Sequence, residues 1–402
     1  MRGGPDVIDV IVVGAGPAGS TAAGLLAQRG YRVLVLERER FPRFHIGESL
    51  LPAGLPVLGR LGVEPFGDTF VFKRGAEFVD EAEGLTRGFA FEDALPGCPR
   101  HAWHVERSLF DARLRDAAAA CGAEIRHGET VTDVRIDEDR VRVRLEGRPQ
   151  SLWARYLIDA SGQSRLLARQ TGSVRPYKHF GSVAIFTHYA GLGDEALEEL
   201  GPGNEIRIML RPEGWGWIIP LPSRRLSVGI VSQRPLDRAG LEQGLLAGGL
   251  VRRWTAGAER LETRVIQNFS YRNVESAGPR FAAAGDAACF LDPVFSSGVT
   301  LALRGAERVA DVLAPALEAG TEAAPRLQEG QQAYMDRAYR TFAALIDRFY
   351  NTRFATTVFL SQAEGLPMYR GVVSVLAGDV WRVDNPFQES LLAARPRATL
   401  EQ

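Results

Sequence analysis

The chain has 402 residues, 45% of them hydrophobic and 24% charged, with a formal net charge of -1. That length and content suffice for a large core divided between two connected domains, and the near-neutral balance points away from nucleic acid and anionic membrane as partners. No apolar run is long enough to cross a bilayer, the first nine residues carry no signal-peptide core, and three scattered cysteines (Cys98, Cys121, Cys289) make neither a disulfide framework nor a zinc site and read as small buried side chains, so a soluble, cytoplasmic protein is expected.

The first stretch with structure is VIDVIVVGAGPAGSTAAGLLAQRGYRVLVLER, Val7 to Arg38. Val10–Val13 is a short, β-branched apolar run and reads as a buried parallel strand. Gly14, Gly16 and Gly19 follow at GxGxxG spacing. The first allows a tight turn, the second backbone approach to a pyrophosphate, the third close helix–strand packing. Ser20–Arg29 is helical in pattern and Gly30 stops it. Arg32–Leu36 is a second strand ending at Glu37, whose carboxylate suits a ribose hydroxyl. Together these make a βαβ dinucleotide unit.

Further along, the loop RFHIGES (Arg43 to Ser49) falls at the carboxyl edge of the sheet, where ligands bind. Leu50–Leu61 reads as a helix, and 71–80 as one strand with Lys73 near its start. Trp103–Ala120 reads as a helix capped by Ser108, and 124–146 as an antiparallel meander turning at DEDR. RYLIDASG repeats the strand-to-glycine turn, with Asp159 and Gly162. Between Phe180 and Ser232, SVAIFTHY, EIRIML, GWGWIIPL and LSVGIVS alternate as an antiparallel sheet expected to carry the substrate. Residues 241–263 read as helical. RFAAAGDAACFLDPVFSSGVTLALRGAERVADVL is a strand, a GD turn, a loop and a long helix from near Ser297. Residues 325–350 form a further helix whose stripe of Tyr334, Tyr339, Phe342, Leu345, Ile346 and Phe349 reads as core. Only the tail 395–402 looks disordered.

GAGPAG, DASG and AGDAA, in this order, resemble the p-hydroxybenzoate-hydroxylase-like flavoproteins. The resemblance covers essentially the whole chain up to the last helices. It implies an α/β fold: a Rossmann-like FAD-binding domain in three parts (1–75, 101–175 and 276–325), an inserted antiparallel β-sheet substrate domain (76–100 and 176–275) and a C-terminal helical region (326–402). It also implies FAD held by Gly14, Gly16, Ala18, Gly19, Glu37, Arg43, Glu48, Ser49, Arg107, Asp159, Gly285, Asp286, Pro293, Gly298 and Val299. Glu37 would take the adenosine ribose, Arg107 the phosphates and Asp286 the ribityl chain. An ion pair of Arg107 with Glu106 or Asp111 is the competing reading.

Three stretches resemble the flavin-dependent halogenases in particular. WGWIIP (Trp215 to Pro220) matches Trp-x-Trp-x-Ile-Pro, and implies that Trp215 and Trp217 form a barrier between flavin and substrate; two core indoles on one strand face would look the same. FLDPVFSSG (Phe290 to Gly298) matches Phe-x-x-Pro-x-x-Ser-x-Gly, and implies a halide at the amides of Ser297 and Gly298, where a helix N-terminus leaves N–H groups unpaired; an ordinary capping turn around Ser296 or Ser297 would look the same. Lys73 matches the family's catalytic lysine; an ammonium in a dry pocket can bind hypohalous acid or become a haloamine, whereas a solvated surface charge beside Arg74 is the competing reading. Halogenases acting on free tryptophan carry a glutamate before Ser-x-Gly, where this chain has Phe295. The closer match is the branch acting on phenols and pyrroles.

These resemblances imply an FAD-dependent, two-component halogenase of natural-product biosynthesis that acts on a pyrrole or phenol, free or tethered to a carrier protein. A separate flavin reductase would supply reduced FAD, and chloride or bromide would be oxidised to hypohalous acid that travels to Lys73. The six histidines have no metal-ligand spacing, so no metal is expected. A flavin monooxygenase or prenyl-chain reductase of the same fold, and a non-catalytic flavin-binding scaffold, remain alternatives.

Overall fold

The computed structural model describes residues 8–64, 69–181, 183–234, 238–350, 352–360, 368–394 and 400. In chain order, β1 (Ile8–Val13), α1 (Pro17–Ala27) and β2 (Val33–Glu37) are followed by α2 (Leu55–Arg60), β3 (Phe70–Lys73), β4 (Gly75–Asp80), β5 (Leu85–Ala90), β6 (Ala102–Val105) and α3 (Arg107–Ala120). Next come β7 (Glu124–His127), β8 (Val131–Ile136), β9 (Val141–Leu145), β10 (Leu152–Asp159), β11 (Val183–Ala190), β12 (Ile206–Arg211), β13 (Gly214–Leu221), β14 (Arg225–Ser232) and β15 (Phe281–Ala283). The helices α4 (Ser297–Ala319), α5 (Pro325–Phe349), α6 (Tyr369–Leu376) and α7 (Pro386–Ala393) complete the sequence of main elements.

The first sheet runs β15-β10-β1-β2-β7, all parallel. The β8–β9 hairpin joins it antiparallel through β10. Val10, Val12 and Val35 face a core with α1 and α4 residues such as Leu25, Leu26 and Val309. Ile11 and Leu34 face the hairpin's Val141 and Val143. Burial on both faces is why β1 is a continuous apolar run. Gly19 lets α1 settle on the turn, since a Cβ there would lie 1.8 Å from the Gly14 carbonyl oxygen.

The second sheet is ordered β11-β14-β13-β12-β4-β5. Its pairs are antiparallel except β12 with β4, which is parallel. Its inner face packs Phe78, Trp215 and Trp217 against the α5 stripe of Phe342, Leu345, Ile346 and Phe349. The second sheet and the C-terminal helices therefore share one large apolar core.

Several local expectations are corrected. Residues 71–80 are two strands, because the chain breaks at Arg74: β3 pairs with β6 in a separate ribbon while β4 enters the second sheet. Gly75 permits the change of course, since a Cβ there would lie 2.0 Å from the Phe89 carbonyl oxygen. Residues 102–105 are strand, so the helix starts at Arg107, and Ser108 does not cap it but donates to Glu106 Oε1 at 2.8 Å. Leu50–Leu61 yields only a 3₁₀ turn at 52–54 and the short α2. The meander is the β8–β9 hairpin alone, β7 being parallel to β2. Residues 241–263 hold helix to Trp254 and then strand at 259–260. Cys98 and Cys121 are only partly buried, unlike Cys289. Of the tail 395–402, only Leu400 lies among the described residues, bridged to Tyr177. No described helix is long and apolar enough to cross a membrane.

Candidate active site

A cavity of about 650 Å³ runs from the β1–α1 turn to the inner face of the second sheet. At its first end Gly14 adopts φ +98°, and a Cβ there would lie 2.4 Å from the Ala160 carbonyl oxygen, so only glycine fits. No side chain caps α1 at Gly16, which leaves N–H groups free for an anion. The Cβ position of Gly16 lies 3.4 Å from Arg43 Nη2, so a phosphate over this turn would meet a guanidinium. Glu37 closes this end. Its Oε2 accepts from Ala15 N at 2.7 Å and its Oε1 from Glu39 N at 2.8 Å, which fixes the carboxylate and leaves lone pairs for a polyol.

Ala18, Glu48, Ser49, Gly285, Asp286 and Pro293 line the middle of the cavity. Burial pushes the Asp286 carboxyl up to about 6, against the opposing pull of Arg107. Glu48 is pinned by His188 Nε2 at 2.7 Å from its Oε1, while its Oε2 and the Ser49 hydroxyl are buried without a protein partner. Arg107 reaches the cavity too, but its guanidinium forks onto Asp111 at 2.8 and 3.0 Å and donates to the Ile46 carbonyl at 2.6 Å. The competing reading of Arg107 therefore describes its contacts: it orders the RFHIGES loop, and its bidentate face is already used.

Two residues expected at the cofactor lie off the cavity. Gly19 packs beneath the turn. Asp159 is fully buried and accepts from Ser161 N at 3.0 Å and Leu167 N at 2.9 Å, so it organises the DASG turn and leaves Ser161 and Gly162 to face the cavity.

At the far end, Ser297, Gly298 and Val299 present the start of α4, where no side chain makes a capping bond. Ser296 turns the chain into the helix at φ +54°. Trp215 and Trp217 project from one face of β13 and line the cavity with ring centroids 5.7 Å apart. Each indole is tethered: Trp217 Nε1 donates to Ser227 Oγ at 3.1 Å, and Trp215 Nε1 to Asp292 Oδ1 at 3.1 Å.

Lys73 does not line this cavity. It ends β3 at 1% exposure, donates to the Leu50 carbonyl at 2.9 Å and sits 5.1 Å from the Phe91 ring centre. It borders a small pocket walled by Phe78, Phe91, Phe295, Ile208 and Leu376. Ile206 and Ser296 wall both spaces, so this pocket lies just behind the large cavity. Burial pushes the Lys73 ammonium down to about 7. Arg74 beside it points elsewhere, into an ion pair with Glu205 at 2.6 Å.

Sequence reading overlooked Asp292, His188 and Tyr350. Asp292 stands inside FLDPVFSSG, and a carboxylate in an otherwise apolar segment was the available signal. His188 sits mid-strand in an apolar run and Tyr350 ends a helix, so neither has a local signal. Among the described residues, no group of three or more His, Cys, Asp or Glu could hold a metal ion.

The chemistry of these linings fits an FAD: a glycine turn with free amides and an arginine, an acid at the strand end, buried unpartnered oxygens in mid-cavity and an aromatic wall beyond. Comparisons agree. A tryptophan halogenase family model matches residues 97–368, and an FAD-dependent oxidoreductase model matches 9–175. The chain is 31% identical to a tryptophan 2-halogenase of Chondromyces crocatus, over 89% of this chain and 71% of that protein. It is 28% identical to a 1H-pyrrole-2-carbonyl-[peptidyl-carrier protein] chlorinase of Pseudomonas fluorescens, over 93% and 89%. The myxobacterial chondrochloren halogenase CndH superposes with a TM-score of 0.77 at 31% identity, over 96% and 93% of the two chains. The chain belongs to the tryptophan halogenase family and is an FAD-dependent halogenase.

Proposed function

We propose that this halogenase acts on an electron-rich aromatic ring of the pyrrole or phenol type, with Lys73 carrying the oxidised halogen to it. The observation that carries the reading is the placement of Lys73: buried, brought down to about 7, in an apolar pocket sharing Ile206 and Ser296 with the cavity that fits FAD. Phe295 supports the ring preference. It walls the Lys73 pocket, so an apolar side chain stands where a carboxylate would be needed to assist a less activated ring. The relatives include both a tryptophan and a pyrrolyl-carrier halogenase, so carrier tethering rests on the second of these alone.

Reduced FAD, when bound, supplies with oxygen the oxidising equivalents for halide. The protein's part is positional. The amides of Ser297 and Gly298 hold the halide anion at the α4 N-terminus. Trp215 and Trp217 keep the ring away from the flavin side while a small oxidant passes. Near pH 7 both forms of Lys73 are populated: the ammonium donates a hydrogen bond to hypohalous acid, and the free amine takes the halogen as a haloamine with release of water. The ring then takes halogen and gives up a proton, so hypohalous acid and arene leave as haloarene and water. A separate flavin reductase is the expected partner. Purified protein with such a reductase, NADH, halide and a set of pyrroles and phenols tests this by mass spectrometry. Oxygenated product without halogen would refute it, as would turnover that is indifferent to Lys73→Ala.

A further inference from the structure

Asp292 stands one residue before Pro293, yet it does not line the cavity and is fully buried. Four donors from four parts of the chain converge on it. Trp215 Nε1 and Val294 N both donate to Oδ1 at 3.1 Å, and Gly181 N donates to Oδ2 at 3.0 Å. The Tyr350 hydroxyl, just beyond α5, also donates to Oδ2. A carboxylate can only accept, so four donors favour its ionised form. Burial opposes them and pushes the carboxyl up to about 6. The groups facing it from β13, from the segment before β11, from the turn before α4 and from the end of α5 are all uncharged. The fit is close: a Cβ on Gly181 would lie 2.4 Å from Asp292 Oδ2 and 2.9 Å from the Tyr350 hydroxyl oxygen.

We infer that Asp292 is a positioning residue for the halogenation reaction: its carboxylate fixes the Trp215 indole across the cavity and, through Tyr350, ties that indole to the C-terminal helices. The inference rests on the reading of Trp215 and Trp217 as the wall between flavin and ring. The two halves of that wall are held differently. Trp217 is tethered by a neutral hydroxyl, Trp215 by a buried charge, and charge-assisted hydrogen bonds are about twice as strong as neutral ones. The end of α5 thereby has a direct grip on the barrier, although it lies far along the chain from β13. Ionised Asp292 accepts all four donors. Protonated, it must turn one oxygen into a donor, and the net loosens. The barrier is therefore tight above about pH 6 and slackens as pH falls through it.

The chain has six tryptophans, so the indole N–H signals of tryptophan-labelled protein are few, and Trp215→Phe assigns the relevant one. In the wild type this signal should titrate with a midpoint near 6. In Asp292→Asn it should be displaced and independent of pH, and in Tyr350→Phe, which leaves the Trp215 bond in place, displaced less. With a flavin reductase, NADH, halide and a free non-aromatic 1,3-diketone as scavenger, Asp292→Asn should halogenate several-fold more scavenger per reduced FAD consumed. FAD affinity should be unchanged, a split that simple loss of stability would not produce. A folded Asp292→Asn protein with wild-type indole signal and wild-type leakage would overturn the inference. If that variant does not fold, Tyr350→Phe decides alone, and a wild-type indole signal with wild-type leakage in that variant overturns the inference. The barrier reading fails separately, if Trp215→Ala leaks no more than the wild type.

Discussion

Replacing Lys73 by Met should make this protein more stable while ending its halogenation. The ammonium is buried in an apolar pocket with a single carbonyl acceptor, and burial alone brings it from 10.5 to about 7. At 1.36 kcal/mol per tenfold change in proton affinity, charging Lys73 in the fold opposes folding by about 5 kcal/mol. That is an upper figure, because relaxation and water entry soften it. Between pH 7 and 10.5 the unfolded chain holds a proton on this amine that the folded chain does not. Wild-type stability from this group therefore rises with pH across that window and is lowest below pH 7. Methionine has a similar volume and no charge, so it removes the penalty without opening a cavity. Denaturant unfolding of both proteins at pH 6, 8 and 10 is the assay: the gain should be largest at pH 6 and shrink towards pH 10. Reduced flavin should still be consumed, without halogenated product. An unchanged stability, or a gain equal at pH 6 and 10, would mean that the amine is hydrated, and the argument for a desolvated halogen carrier would be refuted.

Gly14→Ala should abolish FAD binding, measured by flavin fluorescence, because its φ of +98° and the carbonyl 2.4 Å from the new Cβ forbid the turn. Gly16→Val should do the same by filling the approach beside Arg43, whose Nη2 is already 3.4 Å from a Cβ. Gly229→Ala would place a Cβ 2.3 Å from the Trp217 ring, so that indole should be displaced and the oxidant should escape to a scavenger without loss of FAD. Trp217→Phe should keep most of the product. Trp217→Ala should lose roughly 3–5 kcal/mol of stability and leak oxidant, and a folded, fully coupled Ala variant would argue against the wall.

The sequence was most legible where local rules coincide with tertiary need. The βαβ unit at the N-terminus, the alternating strands from Phe180 to Ser232 and the helix from Ser297 are of this kind, because burial on one or both faces imposes a period the residues must obey. The conformational demand of Gly14 and the shared face of Trp215 and Trp217 were equally visible. Strand and helix were confused at 102–105, where a short apolar segment carries too few residues to show a period, and one strand was read where the chain breaks at Arg74 into two.

Tertiary structure alone decided which charges meet. Family resemblance put Arg107 at phosphate and spacing allowed Asp111; with its fork on Asp111, the fold also brings its Nη1 to the Ile46 carbonyl, 61 residues away. Asp159 ends its strand much as Glu37 does, yet it faces the backbone of the turn and Glu37 faces the cavity. Lys73 could be assigned to a motif, but its desolvation depends on Phe295 and Leu376 arriving from distant parts of the chain to join Phe78 and Phe91. Asp292 meets Trp215 and Tyr350 across 77 and 58 residues. Periodicity records how a segment meets its own neighbours, whereas the environment of a buried charge is set by every segment that closes over it.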